Sequence, residues 1–212
     1  KIGGAWGLAD RLFVTDLGYN RVLIWNHIPT SSGQPADVAI GQPNLTSARA
    51  NADTVCGALA PAFPNGPCVG NLNLPRYALS DGTRLFIADG GNDRVLIYNS
   101  IPTASGAPAD VVLGQPDFRK NIVTSLTSTI ASTAIDNTGS VDTIPAPQAL
   151  AFDGLNLYVS DPYNRRVLVF TPADTPLSAA SNPVVNWASE EVRQEGVVAL
   201  VVVGTITAKD TV

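Results

Sequence analysis

Charge, histidine, cysteine and long apolar runs are all scarce in this chain of 212 residues. Charged residues make up 15% of it, against about 25% in an ordinary globular domain. Acids outnumber bases and the net charge is −5. With no basic stripe, a nucleic-acid backbone is excluded as an expected partner. The single histidine, His27, and the two cysteines, Cys56 and Cys68, are too few soft ligands for a zinc site. A nucleophilic triad would need His27 as its base, and no Gly-x-Ser-x-Gly elbow is present. His27 follows a strand-like run and reads as a surface loop residue. The richest apolar run, Gly196 to Gly204, is too short to cross a bilayer, which takes about 18 residues, and reads as a buried strand. Methionine is absent and the chain opens at Lys1, so the natural start is expected upstream, and the lack of a targeting segment carries no information.

Hydrophobic residues amount to 45% of the chain, enough for a real core. Ser, Thr, Ala, Gly and Pro replace the missing charge, a composition that suits a loop-rich all-β protein. Cys56 and Cys68 lie in one Gly/Pro/Asn-rich stretch. An even pair there points to one local disulfide and an oxidising compartment; two free thiols are the alternative.

The dominant feature is a repeat. Leu12-Phe13-Val14-Thr15-Asp16 with Arg21-Val22-Leu23-Ile24-Trp25 returns as Leu85-Phe86-Ile87-Ala88-Asp89 with Arg94-Val95-Leu96-Ile97-Tyr98. It returns again as Leu157-Tyr158-Val159-Ser160-Asp161 with Arg166-Val167-Leu168-Val169-Phe170. The offsets are 73 and 72 residues, and a fixed period means a solenoid, a propeller or an array. Each copy reads as two strands around a short Asp-initiated polar turn, an antiparallel hairpin. Gly and Asn in these turns suit left-handed backbone. A third strand follows in Ala36-Asp37-Val38-Ala39-Ile40-Gly41-Gln42-Pro43 and again in Ala109-Asp110-Val111-Val112-Leu113-Gly114-Gln115-Pro116. Long polar excursions come next (about 44–71 and 117–143). A last strand-like run, from Pro75 or from Pro147, leads into the next hairpin. Four strands per period is the content of one propeller blade.

In the third copy, residues 182–187 stand where the Ala-Asp-Val-Val strand belongs, and Gly-Gln-Pro is gone. A charged stretch, 189–196, then leads to β-prone runs at 197–203 and 205–207. The division expected is therefore 1–187 for three blades, at about 1–45, 72–118 and 144–187. Residues 188–212 would be a linker and strand tail opening a separate β element.

The pattern Pro-x-x-apolar-x-x-Asp-Gly-x-x-Leu-aromatic-Val/Ile-x-Asp-x-x-Asn-x-Arg-Val-Leu, carried by Pro75 to Tyr98, Pro147 to Phe170 and partly Gly4 to Trp25, resembles the NHL repeat of six-bladed β-propellers. The Ala-Asp-Val-Val-Leu-Gly-Gln-Pro-Asp-Phe segment is similar to a long-loop bacterial variety, usually secreted or surface-bound. The resemblance spans about 4–187. It implies an all-β fold of four-stranded blades, about three of them here as a partial ring. It implies an extracellular or cell-surface location, and function as a binding platform or, less often, an enzyme. Some members are zinc lyases using several histidines, which one His27 cannot supply.

Asp16, Asp89 and Asp161 recur with Arg21, Arg94 and Arg166 five residues on. Once per repeat is the pattern of scaffold, with each Asp in its own turn and each Arg packed and paired. A cation held by the three carboxylates is the chemical alternative. Asp89 to Asp93 has the oxygen-rich flavour of a calcium loop without its spacing or distal Glu. Trp25, Tyr98 and Phe170 share a repeat position and are expected in the packing between blades. Tyr19 and Tyr163, in the turns, are the candidate binding contacts. Asn44-Leu45-Thr46 fits the N-glycosylation triplet, read as chance.

The expected function is a non-catalytic propeller scaffold for protein or ligand binding or assembly, with no catalytic residue, metal or cofactor. Its partners would be further blades of the same polypeptide, a second copy or another subunit. The alternatives are a structural subunit of an extracellular filament or sheath, and a lyase or hydrolase whose active residues lie outside this segment.

Overall fold

The computed structural model describes residues 2–8, 10–58, 61–122, 143–172, 187–195 and 198–204. Among them are thirteen strands, three short 3-10 turns and no α-helix. The strands form three antiparallel sheets, each built by chain neighbours in order. The first holds β1 (Ile2–Leu8), β2 (Arg11–Asp16), β3 (Arg21–Trp25) and β4 (Val38–Ile40). The second holds β5 (Pro75–Ser80), β6 (Leu85–Asp89), β7 (Arg94–Tyr98) and β8 (Val111–Leu113). The third holds β9 (Leu150–Phe152), β10 (Leu157–Asp161), β11 (Arg166–Pro172), β12 (Trp187–Glu195) and β13 (Val198–Gly204).

The repeat in the sequence is a repeat in register. Each central hairpin closes on an Asp opposite an Arg: Asp16 on Arg21, Asp89 on Arg94, Asp161 on Arg166. Each opens on a Leu opposite an aromatic: Leu12 on Trp25, Leu85 on Tyr98, Leu157 on Phe170. The left-handed residue of each turn is Asn20, Asp93 or Arg165, at φ 53, 55 and 55, and none of these is a glycine. The glycines of the middle turn serve a close approach instead. A Cβ on Gly91 would lie 2.6 Å from the Asn73 carbonyl oxygen.

The third sheet departs from the four-strand plan. Residues 182–186 lie outside the described residues, and the strand beside β11 is β12, which starts at Trp187. β13 pairs with β12, so Val198–Gly204 joins the third sheet. The charged run changed the residue class, but ladder hydrogen bonds use the backbone and tolerate that change. Residues 205–207 lie outside the described residues.

Strand alternation places the core. In the middle sheet Leu85, Ile87, Leu96 and Tyr98 face the first sheet and pack with Phe13, Val22, Ile24, Val38 and Ile40. Phe86, Ala88, Val95 and Ile97 face the third sheet and pack with Leu150, Leu157, Val159, Leu168 and Phe170. The middle sheet is thus covered on both faces, which is why its central strands read as unbroken apolar runs. The opening strands β1 and β5 run close together, and β5 also approaches β9.

Edge groups are covered as well. In the edge strand β4, the Ala39 N–H donates to Ser105 Oγ at 3.0 Å. The Gly106 N–H donates to the Ala39 carbonyl at 3.0 Å. A loop of the second repeat thereby satisfies the open edge of the first.

Candidate functional site

Antiparallel order sorts the loops. The hairpin turns 17–20, 90–93 and 162–165 lie at one end of the sheets. The excursions 41–74 and 114–149 leave from and return to that same end. The tight turns 81–84 and 153–156 lie at the other.

At the turn end the recurring acid–base pairs are structural. Arg94 Nε donates to Asp89 Oδ2 at 2.8 Å, with neither side chain exposed. Arg94 Nη2 donates to the carbonyls of Cys68 at 3.0 Å and Asn71 at 2.8 Å, and Nη1 to that of Phe118 at 2.7 Å. Asp89 also accepts from Asn92 Nδ2 at 2.7 Å and from the Asn73 N–H at 2.8 Å. Burial pushes the Asp89 carboxyl above its ordinary value, opposed by Arg94 and these donors. In the third repeat Arg166 Nε donates to Asp161 at 2.8 Å and Nη2 to the Thr143 carbonyl at 2.9 Å. Burial raises Asp161 too. Arg21 repeats the pattern on Asp16 at 3.0 Å and on the Leu45 carbonyl. That first pair is partly open, its side chains 14% and 16% exposed. Tyr19 stands where Asn92 and Asn164 stand, so Asp16 has no amide donor from that position, and the Arg21 guanidinium lies 5.0 Å from the Tyr19 ring.

Sequence reasoning passed over a second recurring device. Gln42 Nε2 donates to the carbonyls of Asn20 at 2.9 Å and Arg49 at 2.8 Å. Gln115 Nε2 does the same to Asp93 at 2.8 Å and Ile122 at 2.9 Å. Each Gln therefore ties a hairpin turn to the start of the excursion that follows. The turn residue then reaches onward: Asn20 Oδ1 accepts the Leu74 N–H at 3.0 Å and Asp93 Oδ1 the Ala146 N–H at 2.9 Å. The signal was the recurrence of Gly-Gln-Pro.

Cys56 and Cys68 are joined in a disulfide, and both are buried. The Cys68 N–H donates to Asn71 Oδ1 at 2.8 Å, and its carbonyl is one of those held by Arg94. The excursion is thus cross-linked to itself and clamped to the second sheet.

Tyr19 and Tyr163 are 52% and 53% exposed, on the turns of the first and third sheets. They are not equivalent positions: Tyr163 aligns with Gly91 and Tyr19 with Asn92. Between them the middle sheet presents only Gly90–Asn92. Tyr98 and Phe170 are buried between sheets. Trp25 is only partly covered, and its Nε1 donates to the Gln34 carbonyl at 3.1 Å.

The opposite end holds a cleft of about 450 Å³ between the first two sheets, walled by Asp10, Asn26, His27 and Asp81 over Phe13 and Ile101. His27 Nδ1 contacts Asp10 Oδ2, both side chains being largely exposed. Asp81 serves its own turn: it accepts the N–H groups of Thr83 at 2.9 Å and Arg84 at 2.7 Å, and Arg84 Nε at 2.7 Å. No group of three or more His, Cys, Asp or Glu side chains is placed to hold a metal among the described residues. At Asn44, Oδ1 accepts the Thr46 N–H at 3.0 Å and the Thr46 hydroxyl at 2.9 Å.

No helix among the described residues is long and apolar enough to cross a membrane. Compared with known proteins, the chain matches no family model and no curated relative.

Proposed function

We propose that the chain is a stretch of NHL-like β-propeller, three blades long, working as a non-catalytic platform for binding or assembly in an exported or cell-surface protein. The observation that carries this reading is the fate of the recurring acids and bases. Asp16, Asp89 and Asp161 are bonded to Arg21, Arg94 and Arg166, and the guanidinium groups hold chain carbonyls at matching offsets. Groups engaged once per repeat in holding loops to sheets are not free for acid–base or nucleophilic work. The stacking of each sheet on the next and the approach of β1, β5 and β9 support a radial arrangement of blades. The disulfide supports export to an oxidising compartment.

On this reading the turn end is the working surface. Its long excursions are anchored at their bases, and its short hairpin turns carry Tyr19 and Tyr163 into solvent. An experimental structure tests the architecture. We expect the three sheets to radiate from an axis lined by β1, β5 and β9; a flat stack with parallel sheet planes would overturn the propeller. Turnover is tested separately on glycosidic, ester and polyuronate substrates with and without zinc or calcium. Hydrolysis or elimination that tracks the chain through purification would overturn the non-catalytic role.

A further inference from the structure

The second sheet packs against a neighbour on each face, and the two contacts differ where Ser80 and Phe152 stand. Between the second and third sheets Phe152 stacks on Phe86, with ring centroids 5.5 Å apart. The Arg84 guanidinium lies over both rings, 5.4 Å from Phe86 and 5.3 Å from Phe152. Phe152 lies opposite Leu157 in its ladder, and Ser80 holds the same place opposite Leu85. Across the contact, Arg11 and Phe13 of the first sheet align with Arg84 and Phe86 of the second. The first contact therefore repeats the cation and one ring but has a serine in place of the other ring. The Ser80 hydroxyl serves its own turn, donating to the Arg84 carbonyl at 2.6 Å and accepting the Gly82 N–H at 3.1 Å. The cleft of about 450 Å³ opens at this place, with Arg11 and Phe13 on one wall and Asp81 and Gly82, next after Ser80, on the other. A cavity of about 150 Å³ is enough to take a benzene ring. Arg84 is held by Asp81 at 2.7 Å, whereas Arg11 forms no salt bridge among the described residues. Asp10 and His27, largely exposed, stand at the mouth.

We propose that this cleft binds a planar aromatic ring carrying a hydroxyl group, a phenol, seated where Phe152 sits in the next contact. The ring stacks on Phe13 and takes the Arg11 guanidinium on its face, as Phe152 does with Phe86 and Arg84. Its hydroxyl points to the mouth, where the Asp10 carboxylate can accept its proton and Asn26 and His27 stand beside it. The molecule thus carries its own template for the ligand, one repeat away. The site goes beyond the scaffold reading and does not depend on a propeller, because it needs only the packing of the first sheet on the second.

The test is a titration of the 212-residue chain with p-cresol, followed by amide proton–nitrogen NMR. Saturable shifts are expected at His27, Gly82 and Ile101, which line the cleft. The saturated analogue 4-methylcyclohexanol, of similar size but without a π face, is expected to bind more weakly. Ser80→Phe supplies the missing ring from the chain itself and is expected to abolish the shifts. Arg11→Met, a change at a half-buried site, is expected to weaken p-cresol binding about two- to fivefold, the range of an exposed cation–π contact. N-acetyltyrosine amide identifies the source: shifts like those of p-cresol assign the site to a tyrosine side chain, and p-cresol shifts without them assign it to a free phenol. Either result supports the ring site. Absence of saturable shifts at these amides overturns the proposal. So does equal affinity for the saturated ring, p-cresol binding that survives in a folded Ser80→Phe, or binding that Arg11→Met leaves unchanged.

Discussion

Arg94 sits over Asp89 with its Nε 2.8 Å from the carboxylate and no part of either side chain exposed, while its remaining donors hold the carbonyls of Cys68, Asn71 and Phe118. One guanidinium thereby connects a hairpin, the excursion before it and the excursion after it.

Arg94→Met is expected to destabilise the fold by about 3–5 kcal/mol, because it leaves a buried carboxylate and three carbonyls without their donor. Arg21→Met, at the partly open first pair, is expected to cost only about 1 kcal/mol. Urea unfolding followed by tryptophan fluorescence measures both. Equal losses at the two sites would contradict the ranking.

The disulfide closes a loop with a separation of 12 residues. Replacing both cysteines by serine should lower stability by about 3 kcal/mol through the freed unfolded chain. Limited proteolysis should then cut first within 57–67. Unchanged protease resistance would show that the Arg94 clamp alone orders the excursion.

Gly41 stands at φ +89, and a Cβ there would lie 2.7 Å from Leu72 and 2.9 Å from the Asn20 carbonyl oxygen. Gly154 stands at φ +103 with open space around it. Gly154→Ala should cost about 1–2 kcal/mol from backbone strain alone. Gly41→Ala should exceed it by a further 1 kcal/mol or more, about the least that overpacking costs. Thermal unfolding of the pair separates strain from crowding, and a larger loss at Gly154 would refute the assignment.

The acids divide by environment. Asp153 lies well below its ordinary value of 3.8, held first by the N–H of Asn156 and then by that of Leu155. A lowered acid contributes stability that is present above 3.8 and lost as pH falls through its folded value. Asp89 and Asp161 are raised by burial. Their contribution has the opposite sign, present below 3.8 and lost as pH rises through their folded values. Carboxyl carbon NMR should therefore show Asp89 and Asp161 protonating at higher pH than Asp153. The reverse order would mean that Arg94 and Arg166 outweigh desolvation.

The hairpins were legible because Leu12, Leu85 and Leu157 return at a near-constant period with their partners in step. Asp–Arg pairing was legible for the same reason. The carbonyls that Arg94 holds were not, since a main-chain acceptor leaves no mark in the side-chain sequence. Gln42 and Gln115 recur plainly, yet their bonds also end on carbonyls. Trp25 shares its position with Tyr98 and Phe170 but differs in burial, because coverage depends on which sheet lies opposite. β12 escaped notice because its charged residues conceal a backbone that pairs as well as any other.

The grip of Arg94 on oxygens of the main chain has an evolutionary consequence. Its bonds to Cys68 and Phe118 end on main-chain carbonyls and are blind to the side chains those residues carry. Elsewhere in the two excursions, away from the Cys56–Cys68 disulfide and the Asn71 side chain, substitutions need preserve only the path of the backbone that brings those carbonyls to Arg94. The chemical character of that surface can be rewritten freely over a stack that stays constant, so divergent recognition and a single architecture are compatible in one gene lineage.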